Sequence, residues 1–233
     1  MSKTVVITQS NYFPWRGWFE MLAQSDVWVI YDNVQFTKRD WRNRNLIRVD
    51  DQPKWLTVPV NTKGKYNQLI NETTVSDPEW FQNHRNKLLA SYSKFKYISD
   101  LEELITNLDL PLSSASVLSD INRIIVKEIL QLFDLKIEIL DAQDFSFAGN
   151  STERLVSLCA EVDGHNYLTG PAARNYLEEE FFNQAKINIE WMNYGDLPLD
   201  LEGNFGTGEY SILDLIARVG ITNLPAFIPS LNK

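Results

Sequence analysis

Between Gln35 and Arg48 the chain places Lys38, Arg39, Arg42, Arg44 and Arg48 against the single carboxylate of Asp40. That is a local charge of +4 in a protein of 233 residues with formal net charge -9. Arginine presents planar, paired donors that match phosphate or carboxylate oxygens, so the segment is suited to holding an anion. Just upstream, Gln9-Ser10-Asn11-Tyr12-Phe13-Pro14-Trp15-Arg16-Gly17-Trp18 sets amides and aromatic rings in one short loop. Pro14 fixes the turn, Gly17 permits close backbone approach, and the rings offer faces to a flat or ring-shaped ligand. Gln9, Asn11, Tyr12, Trp15 and Gly17 are therefore candidate ligand-binding residues, together with Gln35, Lys38, Arg39, Arg42 and Arg44. The plainer alternative is a solvated surface loop anchored by Trp41.

A third candidate is Thr169-Gly170-Pro171, where a predicted strand runs into a helix with Arg174 one turn on. A hydroxyl and bare backbone amides there suit a phosphate, and an ordinary turn started by Pro171 fits equally well. For proton transfer the candidates are Asp32, at the end of the second predicted strand, and His84. His84 shares a helical face with Phe81 and Leu88, which also fits a partly buried structural histidine. Cys159 is the lone cysteine and lies in an apolar-periodic stretch, so it reads as core and excludes an intramolecular disulfide or a thiolate metal cluster. No metal ligand set is predicted. The glycine-rich phosphate loops, the zinc-hydrolase helix signature and the esterase elbow are all absent.

Elements able to position these residues follow from the apolar pattern. Lys3–Thr8 and Asp26–Asp32 read as strands around a helix at Trp15–Gln24, a β-α-β start. Leu46–Val60 reads as a hairpin turning at Asp50-Asp51-Gln52-Pro53. A helix is expected over Glu79–Phe95, then short helical pieces to Phe133. Strands are expected at Lys136–Leu140, Asn166–Gly170 and Ile187–Tyr194. They alternate with helices at Ser151–Val162, capped by Ser151 or Asn150, at Ala172–Ala185, and at Tyr210–Gly220. Alternation at both ends predicts one α/β domain, Rossmann-like with a mostly parallel sheet, and with a hairpin and helical insertion at about 46–133. No stretch approaches the roughly 20 apolar residues of a membrane span, and the first residues lack a signal-peptide core. With a pI near 4.8 the expectation is a cytoplasmic protein that neither binds nucleic acid nor inserts into membranes.

Five separated stretches resemble the WbqC-like family of bacterial proteins, in the family's order and across nearly the whole chain. They are Gln9 to Phe19, Asp32 to Arg44, Trp55 to Val60, Tyr167 to Leu177 and Ser211 to Leu215. One departure is visible: the family's opening usually reads His-Gln-Pro-Asn-Tyr, and Thr8 and Ser10 stand here for the His and Pro. The resemblance implies a role beside surface-polysaccharide (O-antigen type) synthesis, as a transferase that links a small acyl or aminoacyl group to an amino sugar. The Phe13-to-Trp18 loop also occupies the position of the His-x-Gly-His loop of HUP-type nucleotidyl-transferring enzymes, with Trp15 and Trp18 where histidines would stand. Residues Gly170 to Leu177 are similar to the late phosphate loop of pantothenate synthetases. The expected partner is a small anionic sugar or nucleotide. The cofactor stays open, with ATP or another nucleotide as the candidate. A noncatalytic nucleotide-sugar-binding or scaffold protein and an ATP-dependent amide ligase are the alternative readings.

Overall fold

The computed structural model of the protein describes residues 2–147, 149, 151–197 and 210–232. Its centre is a five-stranded parallel sheet in the order β5-β2-β1-β6-β7, built from β1 (Thr4–Thr8), β2 (Val27–Ile30), β5 (Glu138–Asp141), β6 (Asn166–Thr169) and β7 (Asn188–Trp191). Side chains alternate across a strand, and β2, covered on both faces, is apolar throughout (Val27–Ile30), while the edge strands β5 and β7 mix apolar with charged or amide residues. Val6, Trp28, Ile30 and Leu168 face a core with α1 (Arg16–Ala23), α4 (Leu118–Leu132) and α7 (Ile212–Val219). Val5, Ile7, Val27 and Val29 face the other way, onto Leu155, Leu158 and Cys159 of α5 (Ser151–Glu161) and Phe182 of α6 (Glu179–Gln184). Cys159 is buried there, and burial pushes its thiol up to about 12, out of nucleophile range.

The chain starts in the middle of the sheet, moves to one side through β2 and β5, then returns to the other side through β6 and β7. Ligands of such Rossmann-like sheets sit at the carboxyl ends where this reversal parts the loops, here those after β1 and β6. Between β2 and β5 the chain adds an antiparallel hairpin of β3 (Arg44–Val49) and β4 (Gln52–Thr57), then α2 (Trp80–Tyr92), α3 (Ile98–Ser113) and α4. The hairpin turns at Asp50 and Asp51, both left-handed with φ of 49° and 58°, the conformation that matches strand twist.

Two expectations need correction. The short helical pieces predicted before Phe133 are two long helices, because Leu101, Leu104, Ile105, Leu108 and Leu112 recur at helical spacing and are all buried. Pro111 sits in the last turn of α3, where the helix ends. The helix expected over Ala172–Ala185 is instead a 3₁₀ turn at Pro171–Asn175 followed by α6. Asn150, one of two predicted caps for α5, lies outside the described residues. Among the described residues no helix is long and apolar enough to cross a membrane.

Candidate functional site

The loop after β1 is held on every side. Tyr12 N donates to the Trp41 carbonyl at 3.0 Å, Asn45 Nδ2 donates to the carbonyls of Tyr12 and Phe13 at 3.2 and 2.8 Å, and Ile212 N donates to that of Pro14 at 2.9 Å. Gly17 is required because a Cβ on it would stand 2.2 Å from the Trp15 ring, which lies back over the first turn of α1. Trp15 in turn packs edge-on against Tyr194, with ring centroids 4.9 Å apart. A small cleft of about 90 Å³ remains, lined by Asn11, Pro14, Trp15, Trp41 and Asn45. Asn11 Oδ1 is buried there without a partner. Gln9 is half-buried just before this turn.

Asp32, at the end of β2, is fully buried and acts as a tie. It accepts hydrogen bonds from Ser10 N (2.8 Å), Ser10 Oγ (2.6 Å) and Ser119 Oγ of α4 (2.5 Å). Asn122 Nδ2 extends the knot to Ser10 Oγ and to the Arg42 carbonyl, both at 2.9 Å. Thr8 and Ser10 are therefore both structural, since Thr8 Oγ1 accepts from Trp28 Nε1 at 3.0 Å. His84 is also enclosed. Its Nε2 lies 3.1 Å from the Thr57 carbonyl, which can only accept, so Nε2 carries the proton and Nδ1 accepts from the Tyr12 hydroxyl at 2.7 Å. Burial lowers the His84 pKa to about 4, keeping the ring neutral, and raises that of Tyr12 well above its ordinary value. Neither Asp32 nor His84 faces solvent as a proton carrier would.

The cation run divides in two. Arg48 is buried against Asp214 of α7, with Nε and Nη2 at 2.9 and 3.3 Å from its two oxygens. Arg42 is drawn inward, its Nε 3.4 Å from Asp40 and its Nη1 3.5 Å from the Ser10 carbonyl, and burial lowers its pKa. Lys38, Arg39 and Arg44 instead line a cleft of about 220 Å³ with Phe36, Val58 and Val60. No carboxylate lines it among the described residues. Arg39 holds a left-handed backbone, φ 63°, a strained state for a residue with a side chain. Its carbonyl is grasped by the Arg44 guanidinium, which lies over the Trp55 ring at 3.9 Å, and Trp55 packs on Trp41 at 5.4 Å.

The WbqC-like protein family model matches residues 9–225. The chain belongs to the WbqC-like protein family. It is also 36% identical, over 220 residues covering 94% of each chain, to the uncharacterized protein Rv1507c of Mycobacterium tuberculosis (strain ATCC 25618 / H37Rv). No solved structure matches it.

The five stretches that carry the WbqC-like resemblance meet in space. Asp214 binds Arg48 just past the second stretch, Ile212 N binds Pro14 of the first, and Val58 N of the third binds the Asn43 carbonyl at 2.7 Å. The fourth stretch lies at the ends of β6 and β7. There Thr169 is buried, a Cβ on Gly170 would stand 3.6 Å from the Tyr194 hydroxyl, and Arg174 stacks over Trp191 at 4.6 Å. It reaches the first stretch through Tyr194 and Trp15, but it does not line the cation cleft. Gln35 is exposed, with Nε2 donating to the Tyr66 carbonyl at 3.0 Å. Sequence reasoning did not single out Trp55, Thr57 and Thr62 around the cleft, or Ser119 and Asn122 in the knot around Asp32. Trp55 and Thr57 left a signal, as members of the third resembling stretch, Trp55 to Val60. Among the described residues no group of three or more His, Cys, Asp or Glu is placed to hold a metal ion.

Proposed function

We propose that this WbqC-like protein is a transferase of bacterial surface-glycan synthesis, which binds an activated, phosphate-bearing amino sugar and attaches an acyl or aminoacyl group to it. The observation that supports this is the cleft on the loop leaving β2, where Lys38, Arg39 and Arg44 converge without a lining carboxylate. Such a site favours an anion, and charge-assisted hydrogen bonds are the strong ones. In the reaction the sugar amine attacks the activated acyl carbon, an amide bond forms, the bond to the activating group breaks, and the amine proton leaves with that group or to water. With Asp32 and His84 enclosed, the protein contributes position and charge stabilisation in place of a proton carrier.

The same enclosure favours a second reading, a noncatalytic protein that holds the sugar for another enzyme. One experiment separates them. The purified protein is mixed with a nucleotide-linked amino sugar and an acyl thioester, and products are followed by mass spectrometry. An amide product with release of thiol is expected. Saturable binding without product establishes the second reading. AMP and pyrophosphate formed from ATP, an amino acid and an amino sugar would instead identify an amide ligase. Absence of saturable binding by any sugar phosphate or nucleotide sugar overturns the ligand site itself.

A further inference from the structure

The loop leaving β1 lies where the chain reverses between β1 and β6, the place where ligands of such sheets sit. The cleft of about 90 Å³ on this loop has Pro14, Trp15 and Trp41 as apolar walls, and no charged side chain lines it among the described residues. Two amides complete the lining. Asn45 has both ends bonded to the backbone, its Nδ2 donating to the carbonyls of Tyr12 and Phe13 and its Oδ1 accepting from Leu46 N at 2.7 Å. Asn11 has a partner at neither end among the described residues. Its Oδ1 is buried and its Nδ2 is not, so what Asn11 offers the cleft is a donor without an internal acceptor. An amide held in this way contributes no bond to the fold, which directs it to a ligand.

One donor among apolar rings suits a neutral acceptor joined to a small apolar group. A cation would meet the hydrogens of that donor, and an anion is better served by Lys38, Arg39 and Arg44 in the other cleft. A water takes about 30 Å³ of liquid, so a cleft of about 90 Å³ holds about three heavy atoms, the size of an acetyl group and less than a sugar ring. The two clefts flank one stack of side chains: Trp41 lines the small cleft and packs on Trp55, and Trp55 lies against Arg44 of the cation cleft. Resting on the transferase reading, we infer that the small cleft is the acyl subsite, which takes a short, uncharged acyl group whose carbonyl oxygen accepts a hydrogen bond from Asn11 Nδ2. When the sugar amine attacks the carbonyl carbon, the π pair moves onto the oxygen that Asn11 holds. It returns as the bond to the activating group breaks, and the amine proton leaves with that group or to water. A donor fixed where this negative charge develops is suited to stabilising it.

The test follows the tryptophan indole N–H resonances of the full chain by nitrogen-15 NMR, with those of Trp15, Trp41 and Trp55 assigned from single Trp→Phe variants. The probes are N-methylacetamide, N-methylpivalamide with its bulkier acyl group, sodium acetate and inorganic phosphate. N-methylacetamide should move the Trp15 and Trp41 signals saturably, and more tightly than either N-methylpivalamide or acetate. Phosphate should move Trp55, under Arg44, and not Trp15. Asn11→Ala breaks no hydrogen bond within the described protein, so it should fold; it should weaken N-methylacetamide by about two- to tenfold, the worth of one hydrogen bond, and leave the phosphate titration unchanged. No saturable shift at Trp15 and Trp41, an N-methylacetamide affinity indifferent to Asn11→Ala, or tighter binding of the pivalamide or of acetate overturns the acyl subsite. If phosphate still moves Trp55, the anion site stands without it. Amide binding without any phosphate response would instead remove the anion site and keep the carbonyl-binding cleft.

Discussion

Arg48 and Arg39 belong to one short run of cations, yet the protein treats them in opposite ways. Arg48 is 5% exposed, paired in two bonds with Asp214, and covers the Tyr210 ring at 4.5 Å. Arg39 is exposed at the mouth of a cleft, and its backbone is held in a costly conformation. The same division separates Asp32, saturated by Ser10 and Ser119, from Asn11, whose Oδ1 has no partner in the cleft between Trp15 and Trp41. What differs is the partner, and the partner comes from far away: Asp214 lies 166 residues after Arg48, and Ser119 lies 87 after Asp32. Residue type states what a side chain is able to do, and distant packing decides whether it supports the fold or meets a ligand.

The largest expected effect breaks the buried side of this comparison. Asp214→Ala removes the carboxylate that holds the buried Arg48 in two bonds and also the acceptor 3.4 Å from Arg218, so stability should fall by about 3–5 kcal/mol. Arg39→Gln, at an exposed position, should change stability by less than about 0.5 kcal/mol. Urea unfolding of both variants measures the contrast, and equal losses would remove the distinction. Next in size is a pH effect from the neutral His84, bonded to the Tyr12 hydroxyl and the Thr57 carbonyl. Its folded pKa of about 4 lies below the ordinary 6.5, chiefly through burial, with the Thr57 carbonyl and Asp77 raising it and Lys87 lowering it. The unfolded chain therefore takes up the proton first. Stability is full above pH 6.5 and declines as pH falls toward 4, by about 3 kcal/mol in all. His84→Gln should lessen the wild-type loss between pH 7 and pH 4 by about that amount. Parallel losses in the two proteins would show that the ring is not enclosed.

The sheet was legible in the sequence because Val5, Val6 and Ile7, and then Val27 to Ile30, are apolar on both faces, which few structures other than a covered parallel strand require. The hairpin was legible through Asp50 and Asp51, whose short polar side chains tolerate a left-handed backbone. The cation cluster was visible as charge against an acidic background. Its division was not, since neither the Arg48–Asp214 pair nor the Arg44–Trp55 stack follows from spacing. Asp32 and His84 looked like proton carriers for the same reason. For His84 the helical face shared with Phe81 and Leu88 already fitted a buried structural ring; the saturation of Asp32 by Ser10 and Ser119 belongs to the folded molecule, and nothing local to Asp32 announces it.

The smallest expected effect on stability sharpens the open side of the comparison. Arg39 holds φ at 63°, where a side chain costs of order 1 kcal/mol, and nothing packed around its guanidinium among the described residues returns that cost. The Arg44 guanidinium fixes the turn by binding the Arg39 carbonyl, a bond that any residue at position 39 would accept. Arg39→Gly relieves the strain but gives the unfolded chain more freedom, worth about 0.4–1 kcal/mol in the other direction. The two nearly cancel, so stability should move by less than about 1 kcal/mol. Phosphate binding should nevertheless weaken by about 1.5–3 kcal/mol, the range for a hydrogen bond to a charged group. Urea unfolding and a phosphate titration on the same variant supply both numbers. A loss of several kcal/mol in stability would place Arg39 with Arg48 as a strut of the fold, and unchanged phosphate affinity would remove Arg39 from the site. A stable protein that has lost its anion would show that the strained turn at Arg39 is kept to aim a charge into the cleft.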